Sequence, residues 1–125
     1  MNPTERFPHE TLERLFHEPA RLAIMSALCA ADGALTFNEL RGQCDLTDGN
    51  LSRHLKALQE AGAVTVTKRF VGVRPRTTVR LSETGLARFG DYLTALEDVL
   101  LAARRAVPGR RAGRGVVGAR RAETR

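Results

Sequence analysis

The sequence predicts an α+β domain, mostly α-helical, in which two short helices joined by a tight turn precede a β-hairpin and a long closing helix. Three observations carry this. Two helix-start signals lie close together, at Thr36 and Thr47. From Ala63 to Leu81 the pattern changes from helical spacing to alternation. After Ser82, apolar residues recur in steps of three and four as far as Ala103.

The elements follow in order. Pro8 to Phe16 is expected to form a first helix, with Leu12, Leu15 and Phe16 on one face. Pro19 suits the first turn of a second helix, where its missing N–H does no harm. Leu22, Ile24, Met25, Leu28 and Cys29 make that helix apolar around most of its circumference, so it should be central and buried; Asp32-Gly33 ends it. Thr36 and Glu39 have capping-box spacing and start a helix from Phe37 to Cys44. Thr47 caps another, Asp48 to Ala61, with Asp48 favourably placed against the helix dipole and Gly62 as a left-handed stop. The turn from Cys44 to Thr47 makes these two a helix-turn-helix.

Val64-Thr65-Val66-Thr67 and Thr78-Val79-Arg80-Leu81 alternate as strands do, with Val71 to Pro75 as the tip between them. Ser82 then caps a helix reaching about Arg105, whose seam is Leu86, Phe89, Leu93, Leu96, Leu100 and Ala103. That seam is longer than so small a core can cover.

Composition narrows the class. At 125 residues with 42% hydrophobic and 27% charged, the chain suits one globular domain. No stretch approaches the roughly 20 apolar residues of a membrane span, and the first residues have no secretory pattern, so a cytoplasmic protein without membrane partners is expected. Two cysteines, Cys29 and Cys44, are too few for a disulfide framework. Arg outnumbers Lys 18 to 2, which fits a GC-rich bacterial source. The net charge of +6 divides unevenly: residues 1–103 hold 12 Lys/Arg against 13 Asp/Glu, and residues 104–125 hold 8 Arg against Glu123 alone. The expected division is therefore a folded unit at 1–105 and a disordered, arginine-rich tail at 106–125. Within the folded unit, Lys68, Arg69, Arg74, Arg76 and Arg80 form a basic cluster with no acid among them.

The run Leu46 to Leu58, then Glu60-Ala61-Gly62-Ala63-Val64, resembles the winged-helix transcription regulators of the MarR and ArsR type. The resemblance extends through Phe70-Val71-Gly72, Thr77-Thr78 and Leu81-Ser82-Glu83-Thr84-Gly85, covering about residues 10–101. It implies a homodimer joined through its terminal helices, with the helix-turn-helix and the hairpin, or wing, on double-stranded operator DNA. The domain at 1–105 would then both bind DNA and dimerise.

The residues themselves support specific expectations. Leu51, Leu55 and Leu58 anchor the Asp48–Ala61 helix, leaving Gly49, Arg53, Lys56 and Glu60 on the opposite face with Asn50 and Ser52 beside them. Arg53 can grip a guanine edge with two bonds, and Asn50 an adenine edge. The expected DNA-binding set is Thr47, Asp48, Gly49, Asn50, Ser52, Arg53, His54 and Lys56 from this helix, with Arg69, Arg74 and Arg76 from the wing. For His54, packing or a phosphate contact is expected before any metal role. The plainer alternatives are a solvated helix face and arginines that keep a strand edge soluble.

The expected dimer interface is Leu12, Leu15, Phe16, Phe89, Leu93, Leu96 and Leu100, against the alternative that the seam only covers the protein's own core. No catalytic constellation, phosphate loop or metal-ligand spacing appears, so neither an enzyme nor a cofactor is expected. Cys44 reads as a structural thiol, with a redox switch as its alternative. The leading function is sequence-specific transcription regulation, more often repression. Two others stay open: a winged-helix module for protein contact, and a sensor whose small-molecule effector or oxidant releases DNA.

Overall fold

The computed structural model describes residues 12–108. Seven elements follow in order: α1 (Pro19–Ala30), β1 (Ala34–Thr36), α2 (Phe37–Cys44), α3 (Asp48–Glu60), β2 (Val64–Val71), β3 (Arg74–Leu81) and α4 (Glu83–Ala106). The strands form an antiparallel sheet in the order β1-β3-β2.

Local chemistry sets most boundaries. The α2 capping box forms in full, with the Glu39 N–H donating to Thr36 Oγ1 at 3.1 Å and the Thr36 N–H donating to Glu39 Oε1 at 2.9 Å. Thr47 caps α3 by accepting from the Asn50 N–H at 3.1 Å. Gly62, at φ +77°, supplies the left-handed residue that stops α3. Ser82 caps α4 by accepting from the Gly85 N–H at 2.8 Å.

Three differences from expectation have clear causes. Residues 12–18 are not helical but form a turn, in which the Phe16 and His17 N–H groups both donate to the Glu13 carbonyl; residues 8–11 lie outside the described ones. That turn is held by its side chains: Phe16 enters the core, and Arg88 of α4 holds the Glu13 carboxylate at 2.5 Å. Cys29 is exposed, because α1 buries only the stripe of Ile24, Met25 and Leu28. The third difference is β1, a strand the sequence reading lacks. It exists through pairing, Leu35 opposite Val79 and Thr36 opposite Thr78. The hairpin strands also reach further than expected, leaving only Gly72-Val73 as the turn. Residues 109–125, most of the expected tail, lie outside the described ones.

The core joins every layer. Ile24, Met25 and Leu28 of α1 meet Leu40 of α2, Leu51, Leu55 and Leu58 of α3, Val64 and Val79 of the hairpin, and Phe89 and Tyr92 of α4. Burying one such side chain fully contributes about 1.5–3 kcal/mol. Phe16 completes an aromatic cluster, its ring 5.3 Å from Phe89 and 5.8 Å from Tyr92. At the start of α4, Gly85 presses on the Ala63 backbone, and the two segments are too close for any side chain between them.

Candidate nucleic-acid interface

The α2–α3 pair is braced on its outer side. Asp45 adopts the left-handed conformation at φ +55°, ending α2 and turning the chain toward Thr47. Arg41 of α2 then reaches Asp48 in the first turn of α3 at 2.7 Å. This bridge is exposed, so its role is to set orientation more than to add stability.

Along α3, Leu51, Leu55 and Leu58 are buried, while Asp48, Gly49, Asn50, Ser52, Arg53 and Lys56 are exposed, as is Thr47 before them. Arg53 Nη2 donates to Asn50 Oδ1 at 3.3 Å, so the two groups best suited to read base edges already adjoin. Asp48 is partly engaged by Arg41, and Thr47 by its cap.

His54 is the departure. It is 4% exposed, points into the protein and cannot reach DNA from there. Arg21 of α1 brings Nη1 to 3.2 Å from His54 Nδ1, while Arg21 Nε donates to the Leu15 carbonyl at 2.6 Å. Glu18 Oε2 stands 3.8 Å from His54 Nε2. Burial pushes the imidazole below its ordinary pKa; Glu18 opposes this, and Arg53 and Arg21 reinforce it. For Glu18, partial burial favours the neutral acid, but the Arg21 amide and the charges of His54 and Arg21 outweigh it and hold the carboxyl below its usual range. The single arginine thus ties α3 to the N-terminal turn.

In the hairpin, the register puts Arg69 opposite Arg76 and Val71 opposite Arg74. Lys68, Arg69, Arg74, Arg76 and Arg80 are all exposed. Gly72, at φ +67°, opens the two-residue turn, a position that favours glycine. A groove of about 490 Å³ separates the start of α2, at Thr36 to Glu39, from Arg74, Pro75, Arg76 and Thr77 of β3.

The expected interface residues of the terminal segments divide. Phe16 and Phe89 lie wholly within the chain's own core, so neither has surface left for a partner. Leu12, Leu15 and Leu96 are half-buried against that core. Leu93 and Leu100 face outward, together with Leu86 and Leu101, which the expected set lacked. Tyr92 was also missed as a core residue; its hydroxyl lies 2.9 Å from His17 Nδ1. A lone tyrosine one position off an apolar seam gives little signal of its own.

Cys44 is half-buried, and burial pushes both cysteine thiols above their ordinary pKa. A raised thiol pKa lowers the thiolate fraction that a redox switch needs.

These elements occur together in a known family. The model of the winged helix DNA-binding domain matches residues 20–100. The chain belongs to that family. An uncharacterised protein of Methanocaldococcus jannaschii is 32% identical over 80 residues, which cover 64% of this chain and 86% of the relative. The solved structure of a transcriptional regulator homologue from Pyrococcus horikoshii is similar at 30% identity and a TM-score of 0.67, covering 73% of this chain and 89% of that one. A MarR family transcriptional regulator from Silicibacter pomeroyi shares the fold at 21% identity and a TM-score of 0.52, covering 94% of this chain and 80% of its own. The architecture is that of winged-helix regulators of the MarR type. In its terms α3 is the second helix of the helix-turn-helix and β2–β3 the wing. No helix among the described residues is long and apolar enough to cross a membrane.

Proposed function

We propose that this winged-helix protein is a homodimeric, sequence-specific regulator of transcription, a repressor that occupies a two-fold-related operator. The observation that carries the reading is the bare polar face of α3, with Asn50 and Arg53 already paired, followed directly by an arginine wing. Helix-turn-helix proteins place such a face in the major groove, where Arg and Asn distinguish base pairs by two bonds each. The wing arginines add attraction to phosphates whatever the sequence.

Support for the dimer comes from α4. The helix continues past the aromatic cluster, and Leu86, Leu93, Leu100 and Leu101 remain exposed on it. Pairing with a second copy removes that apolar surface from water and sets two recognition helices about one DNA turn, roughly 34 Å, apart.

The test is selection of bound duplexes from a random library at about 150 mM salt, where phosphate attraction alone no longer dominates. A two-fold-related motif is the expected result. Binding without any motif, fading evenly as salt rises, would overturn the reading and favour a protein-contact module.

A further inference from the structure

The wing carries more than charge. Val73 is 91% exposed and Phe70 73%, and both stand at the narrow end of the hairpin. Phe70 lies directly opposite Pro75 in the antiparallel register, so the two side chains share one face of the ribbon. Arg69, Val71, Arg74 and Arg76 occupy the other face, and Val73 sits in the turn. The tip is therefore an apolar point framed by cations.

Isolated apolar residues on a surface need no explanation, but three together on a protruding strand end are an aggregation hazard. Charge limits what can cover them. No acidic residue occurs between Glu60 and Glu83. Glu39 borders the same groove as Arg74 and Arg76, but its carboxylate is committed to the α2 capping box. A partner that accepts apolar side chains between closely spaced negative charges is the minor groove of DNA, whose opening is about 6 Å wide and admits only a narrow tip. Proteins that insert Phe or Pro there wedge base steps apart and kink the duplex.

Resting on the DNA-binding reading above, we infer that the wing tip is an intercalating wedge: Phe70, aided by Val73 and Pro75, opens one base step in each half-site while Arg69, Arg74 and Arg76 hold the flanking phosphates. The wing then reads deformability as well as charge. Pyrimidine–purine steps such as TA unstack most easily and are preferred where the tip lands.

The test uses the full chain and duplexes from the library selection, each carrying 2-aminopurine at one flanking position. The parent is compared with Phe70→Ser/Val73→Ser. Both side chains are exposed, so the variant keeps the parent's thermal melt. The parent should raise 2-aminopurine fluorescence at one position per half-site. The variant should lose that rise and bind TA-flanked duplexes about tenfold more weakly, a typical effect of one poorly matched position. Binding by the parent with no fluorescence rise, or an equal rise with the variant, overturns the wedge and leaves the regulator reading intact. Failure to select any motif removes both. Loss of self-association by the variant, with DNA binding unchanged, assigns the tip to a protein contact and also overturns the wedge.

Discussion

Arg21 Nη1 lies 3.2 Å from His54 Nδ1, and this fixes the state of the buried histidine of α3. A guanidinium only donates, so Nδ1 must accept and the ring is neutral, with its proton on Nε2 toward Glu18. Protonating the ring would set an N–H against the guanidinium.

A pH dependence follows. The unfolded imidazole titrates near its ordinary 6.5, whereas burial in the fold holds it lower, with Glu18 opposing and Arg53 and Arg21 reinforcing. Between the two values the unfolded chain binds more protons. Stability present at neutral pH is therefore lost as pH falls below about 6.5, until the lowered value is passed. His54→Gln keeps an acceptor for Arg21 and removes the titration. Its urea midpoint should fall less than the parent's between about pH 7 and pH 5. Equal slopes would remove His54 from the account. Glu18, held below its usual range, adds a separate loss at more acid pH.

Gly85→Ala should destabilise strongly. A Cβ there would lie 2.7 Å from the Ala63 carbonyl carbon and 2.8 Å from its Cα, and backbone yields less readily than a side chain. Overpacking costs about 1–3 kcal/mol, and the upper end is expected here. Urea unfolding measures it; a loss below about 1 kcal/mol would show that α4 can shift away from Ala63.

Arg74→Ala should weaken binding to every duplex and reduce the salt slope by about 1, as loss of one phosphate contact does. Arg53→Ala should instead relax preference at one base position. Titrations at several salt concentrations separate the two; a parental slope for Arg74→Ala would take this residue off the phosphates.

Leu100→Arg tests the dimer more cleanly than a change at Leu96, which also packs against the core. Leu100 is 53% exposed, so the charge leaves the protomer fold intact. The variant should sediment as a monomer and lose operator binding. A dimer with unaltered operator affinity would place the interface elsewhere.

Much of the fold was legible because its signals are local. Thr36, Thr47 and Ser82 each cap the helix that follows, and Gly62 stops α3, all through bonds spanning a few residues. What was illegible depends on distant partners. Ala34-Leu35-Thr36 becomes a strand only because β3 pairs with it. The α4 seam looked single, yet Phe89 turns inward beside Tyr92 while Leu93 and Leu100 turn outward, and only the position of the aromatic cluster divides them. The polar face of α3 was readable from its periodicity. For His54 the periodicity allows packing or a phosphate contact; the structure has it packed, with its partner Arg21 33 residues away.

The two ends of the wing are pinned together. The Ser82 N–H donates to the Ala63 carbonyl at 3.0 Å, and the Ser82 hydroxyl reaches the Gly62 carbonyl at 2.6 Å. The hairpin thus leaves the body and returns to nearly the same point, with Val64 and Val79 held in the core and the exposed residues 68–76 beyond it. Lengthening both strands by two residues adds about 7 Å of reach and keeps each side chain on its own face; adding one residue to each turns the tip over. Wing length can therefore change in even steps while the joint beneath it and α3 stay where they are.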